Sequence, residues 1–402
     1  MSVAPNQTKK RVFLSQNPAT VIIAMPSGWG GTEVNTLLLA ERLLDRGHEV
    51  TLMEVGGGFY ANRMTAARRK IPVIPLPTNL GTLSLGIPRV QQWVKLLRQY
   101  RATHLVLAKS WVHTRIPALD VAALWLRLRY SCVEHHPAHF RTERWSELAM
   151  IHQARSAQWL QRLARSRVIC VSHTTLVALR RFERLPLQNA AVVYPGIPWE
   201  VLHRSEVGRR RVREQYRIPA DAFVVGSIGR LEPIKRHDEA FRIFASLGSE
   251  TAPSEPHFLL VGSGGDESSL RHLAQALGIA NRVHFCGFVP DESRADYYSA
   301  MDCFLMVSKA EGLGMTLIEA MACECPVVAT NSGGPSEVLI REDLGWLVPQ
   351  DDWGRVRAAV EAAQAMPSAH RQRRVEAARE FVVSRFDSNT QNDILATLIE
   401  QA

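Results

Sequence analysis

Several features that mark protein classes are missing or scarce in this sequence. Its 402 residues include only 6 cysteines, Cys132, Cys170, Cys286, Cys303, Cys323 and Cys325, and no two are spaced C-x-x-C. That excludes a disulfide framework, argues against a structural zinc site, and points to free thiols in a reducing cytosol. Long hydrophobic runs are also absent. The best, Val121–Leu126, stops at Arg127 and Arg129 and falls far short of the roughly 18–20 apolar residues a membrane helix needs. Residues 1–18 are polar, carry Lys9, Lys10 and Arg11, and lack the apolar region of a secretory signal. There is no short repeat and no low-complexity tract. The expectation is a cytoplasmic protein without a membrane span.

Acidic charge is scarce in the first half only. Residues 1–200 carry 26 Lys+Arg against 11 Asp+Glu, whereas residues 201–402 carry 22 against 28. The net +9 is thus a +15 half joined to a −6 half. A basic half suits an anionic partner: a membrane surface, a phosphorylated lipid or a nucleic acid. Arg68, Arg69 and Lys70 form one basic cluster, and Arg127 and Arg129 another. The stretch Arg141–Arg167 sets Trp145, Leu148, Trp159 and Leu163 at helical spacing among arginines. Part of this surface is expected to face anionic lipid or a lipid-diphosphate acceptor. Without an RNA- or DNA-binding signature, nucleic acid is not expected as a partner.

Hydrophobic residues make up 46% of the chain and charged residues 22%, ordinary values for a chain that buries a core. Thr20–Met25 reads as a buried strand, followed by a glycine-bearing turn, a helical apolar face through Val34, Leu37, Leu38 and Leu43, and a second strand at His48–Val55. Further strands are expected at 71–74, 104–108, 131–134, 168–171 and 191–194. A charged, irregular stretch at 203–217 then resets the pattern. After it, strands are expected at 223–228, 257–261, 283–285, 303–307, 326–330 and 346–348. Helices are expected near 270–277, 291–300, 316–323, 352–365 and 369–386, with an amphipathic stretch at 387–402. Strands alternating with helices imply an α/β fold of two doubly wound parallel sheets, with ligands beyond the carboxyl ends of the strands. The domains fall at 1–200 and 201–386, and 387–402 is expected to pack back on the first.

The segment from Lys309 to Ala322 carries the most chemistry. Glu311 and Glu319 stand eight residues apart around Gly312, Leu313, Gly314, Met315, Thr316 and Leu317. Eight helical residues rise about 12 Å, comparable to the span from a sugar to a ribose joined through a diphosphate. The amides of Gly314 to Leu317 begin a helix, and helix starts suit diphosphates. A second piece, Gly229-Arg230-Leu231-Glu232-Pro233-Ile234-Lys235, places two cations on one strand-to-helix loop. Arg230 offers a guanidinium fork and Lys235 a point charge, both able to offset charge on a leaving diphosphate. The turn Val261-Gly262-Ser263-Gly264 lets a ligand approach the backbone closely. Val283 to Pro290, with Phe288, offers backbone groups to a nucleobase edge.

Together these pieces resemble the retaining glycosyltransferases of family four, which have the two-domain GT-B fold. The resemblance extends over most of the chain and takes in Gly30 and Gly31 in the first loop, then Gly333, Gly334 and Glu337 near the end. It implies two Rossmann-like domains facing each other across a cleft, a UDP- or GDP-sugar donor in the second half, and a glycan or lipid-linked acceptor at the first. It also implies transfer with retention and neither cofactor nor metal. Carried over by position, Arg230 and Lys235 hold the diphosphate, Glu311 the donor sugar and Glu319 the ribose. Gly30 and Gly31 bring the first loop to the reaction centre. A histidine after a first-half strand falls on His135 or His136, with His135 favoured. The product is expected to be a cell-surface polysaccharide or glycolipid, made at the inner face of the plasma membrane.

Three rivals remain at this level. A dinucleotide-dependent oxidoreductase fails because the third glycine of G-x-G-x-x-G falls on Glu33. A sugar-nucleotide epimerase of the same fold is disfavoured by the spacing of Glu311 and Glu319. A polyanion-binding non-enzyme has only the basic half to support it.

Overall fold

The computed structural model describes residues 17–25, 30–56, 60, 71–81, 85–109, 116–135, 163, 166–183, 190–247 and 254–402. His136, the cluster 68–70 and nearly all of the stretch 141–167 lie outside these residues.

Two parallel sheets organise the chain. The first holds β1 (Ala19–Met25), β2 (Glu49–Val55), β3 (Val73–Leu76), β4 (His104–Lys109), β5 (Arg129–Glu134), β6 (Arg167–Cys170) and β7 (Ala190–Val192), in the order β3-β2-β1-β4-β5-β6-β7. The second holds β8 (Val224–Ile228), β9 (His257–Val261), β10 (Val283–Gly287), β11 (Cys303–Met306), β12 (Val327–Thr330) and β13 (Trp346–Val348), in the order β10-β9-β8-β11-β12-β13. Every strand pairing among the described residues is parallel. Helices cover both faces, which is why the strands read as continuous apolar runs rather than alternating ones. On β1, Val21 and Ile23 pack with Trp93, Leu97 and Leu119, while Ile22 turns to Leu39, Leu43 and Leu395 on the other face. On β8, Val225 packs with Phe241, Phe244 and Phe258, and Val224 with Tyr298, Phe304 and Met321. In each sheet the order reverses between neighbouring strands, opening a crevice at the carboxyl ends. The two lobes share one cleft there.

The chain crosses between lobes twice, and the crossings are tied together. Ile197 donates its amide to Phe386 O (2.8 Å) and accepts from Ser388 N (3.2 Å). The helix Ser388–Glu400 then lies on the first lobe, with Leu395, Ala396 and Ile399 packed against Leu39 and Leu43. Asp387 caps it by accepting from Thr390 N at 2.7 Å. At its far end Arg129 donates to Glu400 O, and Arg167 donates to Leu398 O at 3.1 Å. Cations there suit the negative end of a helix. Arg129, expected in a lipid-facing basic cluster, is therefore engaged in holding this helix.

The structure differs from the expected elements in several places; it adds, for instance, the helices His237–Ala245 and Pro335–Val338. The stretch 203–217 contains a helix, Glu206–Gln215, rather than an irregular segment. Ser205 caps it by accepting from Gly208 N (2.9 Å), and Arg209 and Arg213 anchor it to Asp302 (2.8 and 2.7 Å). The strand expected at 71–74 is shifted to Val73–Leu76, with Pro75 inside it. Among the described residues β3 pairs only with β2, and an edge strand tolerates proline's missing donor. The helix expected at 291–300 splits into a 3₁₀ turn, Asp291–Ser293, and a helix, Arg294–Ala300.

Candidate active site

The cleft between the lobes is lined from the first lobe by Gly30, Gly31, Thr32, Glu33, His135, Val171 and Pro195. From the second lobe come Arg230, Lys235, Glu311, Gly312, Leu313, Gly314, Met315 and Thr316. Residues far apart in sequence thus meet in one crevice, each delivered by the loop after a strand.

Arg230 and Lys235 follow β8. Lys235 Nζ donates to Glu311 Oε1 at 2.7 Å, and Arg230 Nη1 lies 2.9 Å from Glu232 Oε1. Glu311 follows β11 and is buried. Its backbone is fixed on both sides: its amide donates to Ser332 O (3.0 Å), and its carbonyl accepts from Gly334 N (3.1 Å). The carboxylate thus projects from a rigid support toward the cations. Gly314 then turns the chain at φ +95 into the helix Met315–Ala322, whose first residues face the cleft. A helix start and two cations aimed at one crevice form a binding surface for a dianionic group. Behind them His237 is buried. Burial and the neighbouring Lys235 lower its pKa to about 4, so it adds no charge at neutral pH.

On the opposite wall, the helix Gly31–Asp45 points its start at the same crevice. A Cβ on Gly31 would lie 3.0 Å from Met315 Cγ, so the first loop closely approaches the helix start of the other lobe. His135 follows β5, is 9% exposed, and lines the cleft. Beneath it Lys109 Nζ donates to buried Glu134 at 2.5 Å.

The remaining expected site residues stand elsewhere. Gly262 and Gly264 do not line the cleft. A Cβ on Gly262 would lie 1.8 Å from Gly229 O, and one on Gly264 would lie 2.3 Å from Leu231 O. Having no side chain, both glycines let this turn pack closely against the Arg230 loop. The side chain of Leu317 is in the core, and its amide already donates to Gly314 O (3.0 Å). It therefore has no free N–H for a diphosphate. Glu319 is 4% exposed and does not line the cleft. Arg294 Nη1 lies 3.0 Å from both of its oxygens, and Tyr298 OH donates at 2.8 Å. Burial raises its pKa above the usual carboxylate range even though Arg294 stabilises the anion. Phe288 is 47% exposed beyond β10, outside the cleft lining. The sequence reading missed Thr32, Glu33, Val171 and Pro195. Glu33, in the first turn of its helix, is the one that carried a signal, because acids there favour the positive helix end.

Two facing Rossmann-like lobes, with cations, a carboxylate and a helix start meeting in the cleft, define the GT-B architecture of glycosyltransferases. Comparison with known proteins gives the family. The model for glycosyl transferases group 1 matches residues 208–381, and that for Glycosyltransferase Family 4 matches residues 29–201. The chain belongs to this family of glycosyltransferases. It is 28% identical over 386 residues to the 2-deoxystreptamine N-acetyl-D-glucosaminyltransferase of Streptomyces fradiae, covering 90% of this chain and 88% of that one. Over 190 residues it is 32% identical to D-inositol 3-phosphate glycosyltransferase 2 of Catenulispora acidiphila, 46% of this chain and 44% of that one. The fold is that of HepE from Anabaena, solved in complex with UDP-glucose, at TM-score 0.80 and 22% identity over 96% of this chain and 100% of that one.

Proposed function

We propose that the protein transfers a hexosyl unit, with retention, from a UDP-sugar to an acceptor hydroxyl held at the first lobe. The observation that carries this reading is the shared cleft, where Arg230, Lys235 and Glu311 face Gly31 and His135. HepE, solved with UDP and with UDP-glucose, supports uridine over guanosine as the base. Relatives named for 2-deoxystreptamine and D-inositol 3-phosphate make small cyclitols worth testing as acceptors beside glycans and glycolipids.

In this reading the diphosphate lies against Arg230, Lys235 and the start of Met315–Ala322. The sugar lies against Glu311, and His135 faces it from the other lobe. The acceptor oxygen bonds to the anomeric carbon on the face the diphosphate leaves. The carbon–oxygen bond to the diphosphate breaks, and a departing phosphate oxygen takes the acceptor's proton. Two cations and a helix start already supply positive charge to the diphosphate, which supports transfer without a bound metal. Glu319 serves through Arg294 to hold the helix that carries the diphosphate site.

The test incubates the purified chain with UDP-glucose, UDP-N-acetylglucosamine and GDP-mannose, with and without cyclitol and lipid acceptors. Release of UDP that depends on acceptor, persists with a chelator present, and gives an α-configured product supports the reading. Absence of sugar release from every donor, or an inverted product, contradicts it.

A further inference from the structure

We propose that Ser172 and Glu337 are positioning residues that hold the two lobes in register, so that the sugar-side loop faces the first lobe at reacting distance. The inference deepens the transferase reading and rests on it. Neither residue lines the cleft, so neither is assigned contact with substrate.

Ser172 precedes the first-lobe helix His173–Glu183 and is fully buried. Its Oγ accepts from Thr175 N at 3.0 Å, an ordinary helix cap. Its own proton goes to the other lobe, to Gly312 O at 2.5 Å. Gly312 is the neighbour of Glu311 and lines the cleft. A second contact lies beside the first. Glu337 reaches from the second lobe to the same helix start and accepts from His173 N (2.9 Å) and Thr174 N (2.6 Å). Its carboxylate therefore takes amides that a helix start leaves without an intrahelical partner, at the positive end of the helix.

Both contacts report to Glu311. The turn that carries Glu337 is bonded to the Glu311 backbone through Ser332 and Gly334, and Glu337 N donates to Gly334 O at 2.9 Å. Glu337 also reaches the inter-lobe crossing, since Tyr194 OH donates to it at 3.0 Å. Tyr194 in turn lies under Arg385, whose Cζ is 5.2 Å from its ring centroid. One carboxylate thus ties the sugar-side loop, a first-lobe helix and the crossing segment. A lobe rotation that broke these bonds would carry Glu311 away from His135 as a unit. Misplacement of reacting groups by about 1 Å costs on the order of 10²-fold in rate, so such fasteners act on turnover more than on nucleotide affinity.

The experiment uses the full chain with Ser172→Ala, Ser172→Thr and Glu337→Gln, each titrated with UDP by calorimetry and assayed with one UDP-sugar. For Ser172→Ala and Glu337→Gln, kcat is expected to fall by at least about tenfold while UDP affinity and donor KM stay at the wild-type value. Ser172→Thr, which keeps the hydroxyl, is expected to restore most of kcat. Hydrogen exchange on Glu337→Gln is expected to quicken at residues 173–175 and also at 311–317. Unchanged kcat in both variants overturns the proposal, and so does a joint loss of kcat and UDP binding, which would mark a role in folding alone. If the wild-type chain moves no sugar, the transferase reading fails by itself. The exchange arm then still decides, because unchanged protection at 311–317 in Glu337→Gln overturns the inter-lobe register.

Discussion

At the scale of single residues, charge placement decides which side chains act and which only hold. Lys235 faces the cleft with its ammonium on Glu311. In Lys235→Ala the kcat for sugar transfer is expected to drop by about 10²–10³-fold, the usual cost of losing one preorganised electrostatic partner. Steady-state kinetics on the UDP-sugar that works best would show it, and an undiminished kcat would remove Lys235 from the diphosphate. Glu319 has a different part. Replacing it with Gln leaves buried Arg294 with Asp291, 3.4 Å away, as its remaining acidic partner among the described residues, at an expected cost of up to about 3 kcal/mol in denaturant unfolding. His237 gives a pH signature. Its folded pKa, about 4, lies below the ordinary value of 6.5, so between those pH values the unfolded chain binds a proton that the native chain refuses. Stability from this group is complete above about pH 6.5 and declines as pH falls toward 4, by about 1.4 kcal/mol per unit at most. Unfolding measured from pH 7 to pH 4 should show a shallower decline in His237→Gln than in wild type.

At the scale of elements, apolar packing outweighs surface charge. The last helix carries both kinds of contact with the first lobe. Leu395 is buried among Leu39 and Leu43, whereas Glu400 meets Arg46 at 2.6 Å and His48 Nε2 at 3.1 Å in a partly exposed cluster. Leu395→Ala is expected to cost about 2–5 kcal/mol and Glu400→Ala no more than about 1 kcal/mol, read as shifts in the urea midpoint. The reverse order would mean that the helix is held by charge. The same contrast explains which elements could be read from sequence. His257–Val261 falls where the apolar run puts it, because a strand buried on both faces writes its length in hydrophobic residues. Glu206–Gln215 was invisible because its anchors are not local: Arg209 and Arg213 pair with Asp302, about ninety residues away. Spacing alone reported those arginines as a charged irregular stretch.

At the scale of the whole molecule, the site is a property of two lobes brought together. Arg230, Lys235, Glu311 and the start of Met315–Ala322 could be read from sequence because each stands on a short loop of one lobe, with glycines that mark the turn. The residues that fasten one lobe to the other could not be read this way. Glu337 stands out in the sequence only as part of the family resemblance, and its link between the lobes is visible only once His173 and Thr174 are placed against it. Gly262 and Gly264 pack against the Arg230 loop, and a glycine needed for backbone packing is written in the same letter as one needed for a ligand. Glu319 stands on the helix that starts at the cleft but is turned inward, toward Arg294 and Tyr298.

The central claim is that the second lobe cradles a nucleoside diphosphate through Arg230 and Lys235. It is tested most directly by the thermal stability of the full chain titrated with UDP, beside the double variant Arg230→Ala, Lys235→Ala. Wild type should gain about 2.7 kcal/mol at a hundredfold excess over Kd, seen as a saturable rise in melting temperature. The double variant should fold and show no rise over the same range. No rise in wild type with UDP or GDP, or an equal rise in the double variant, would contradict the account.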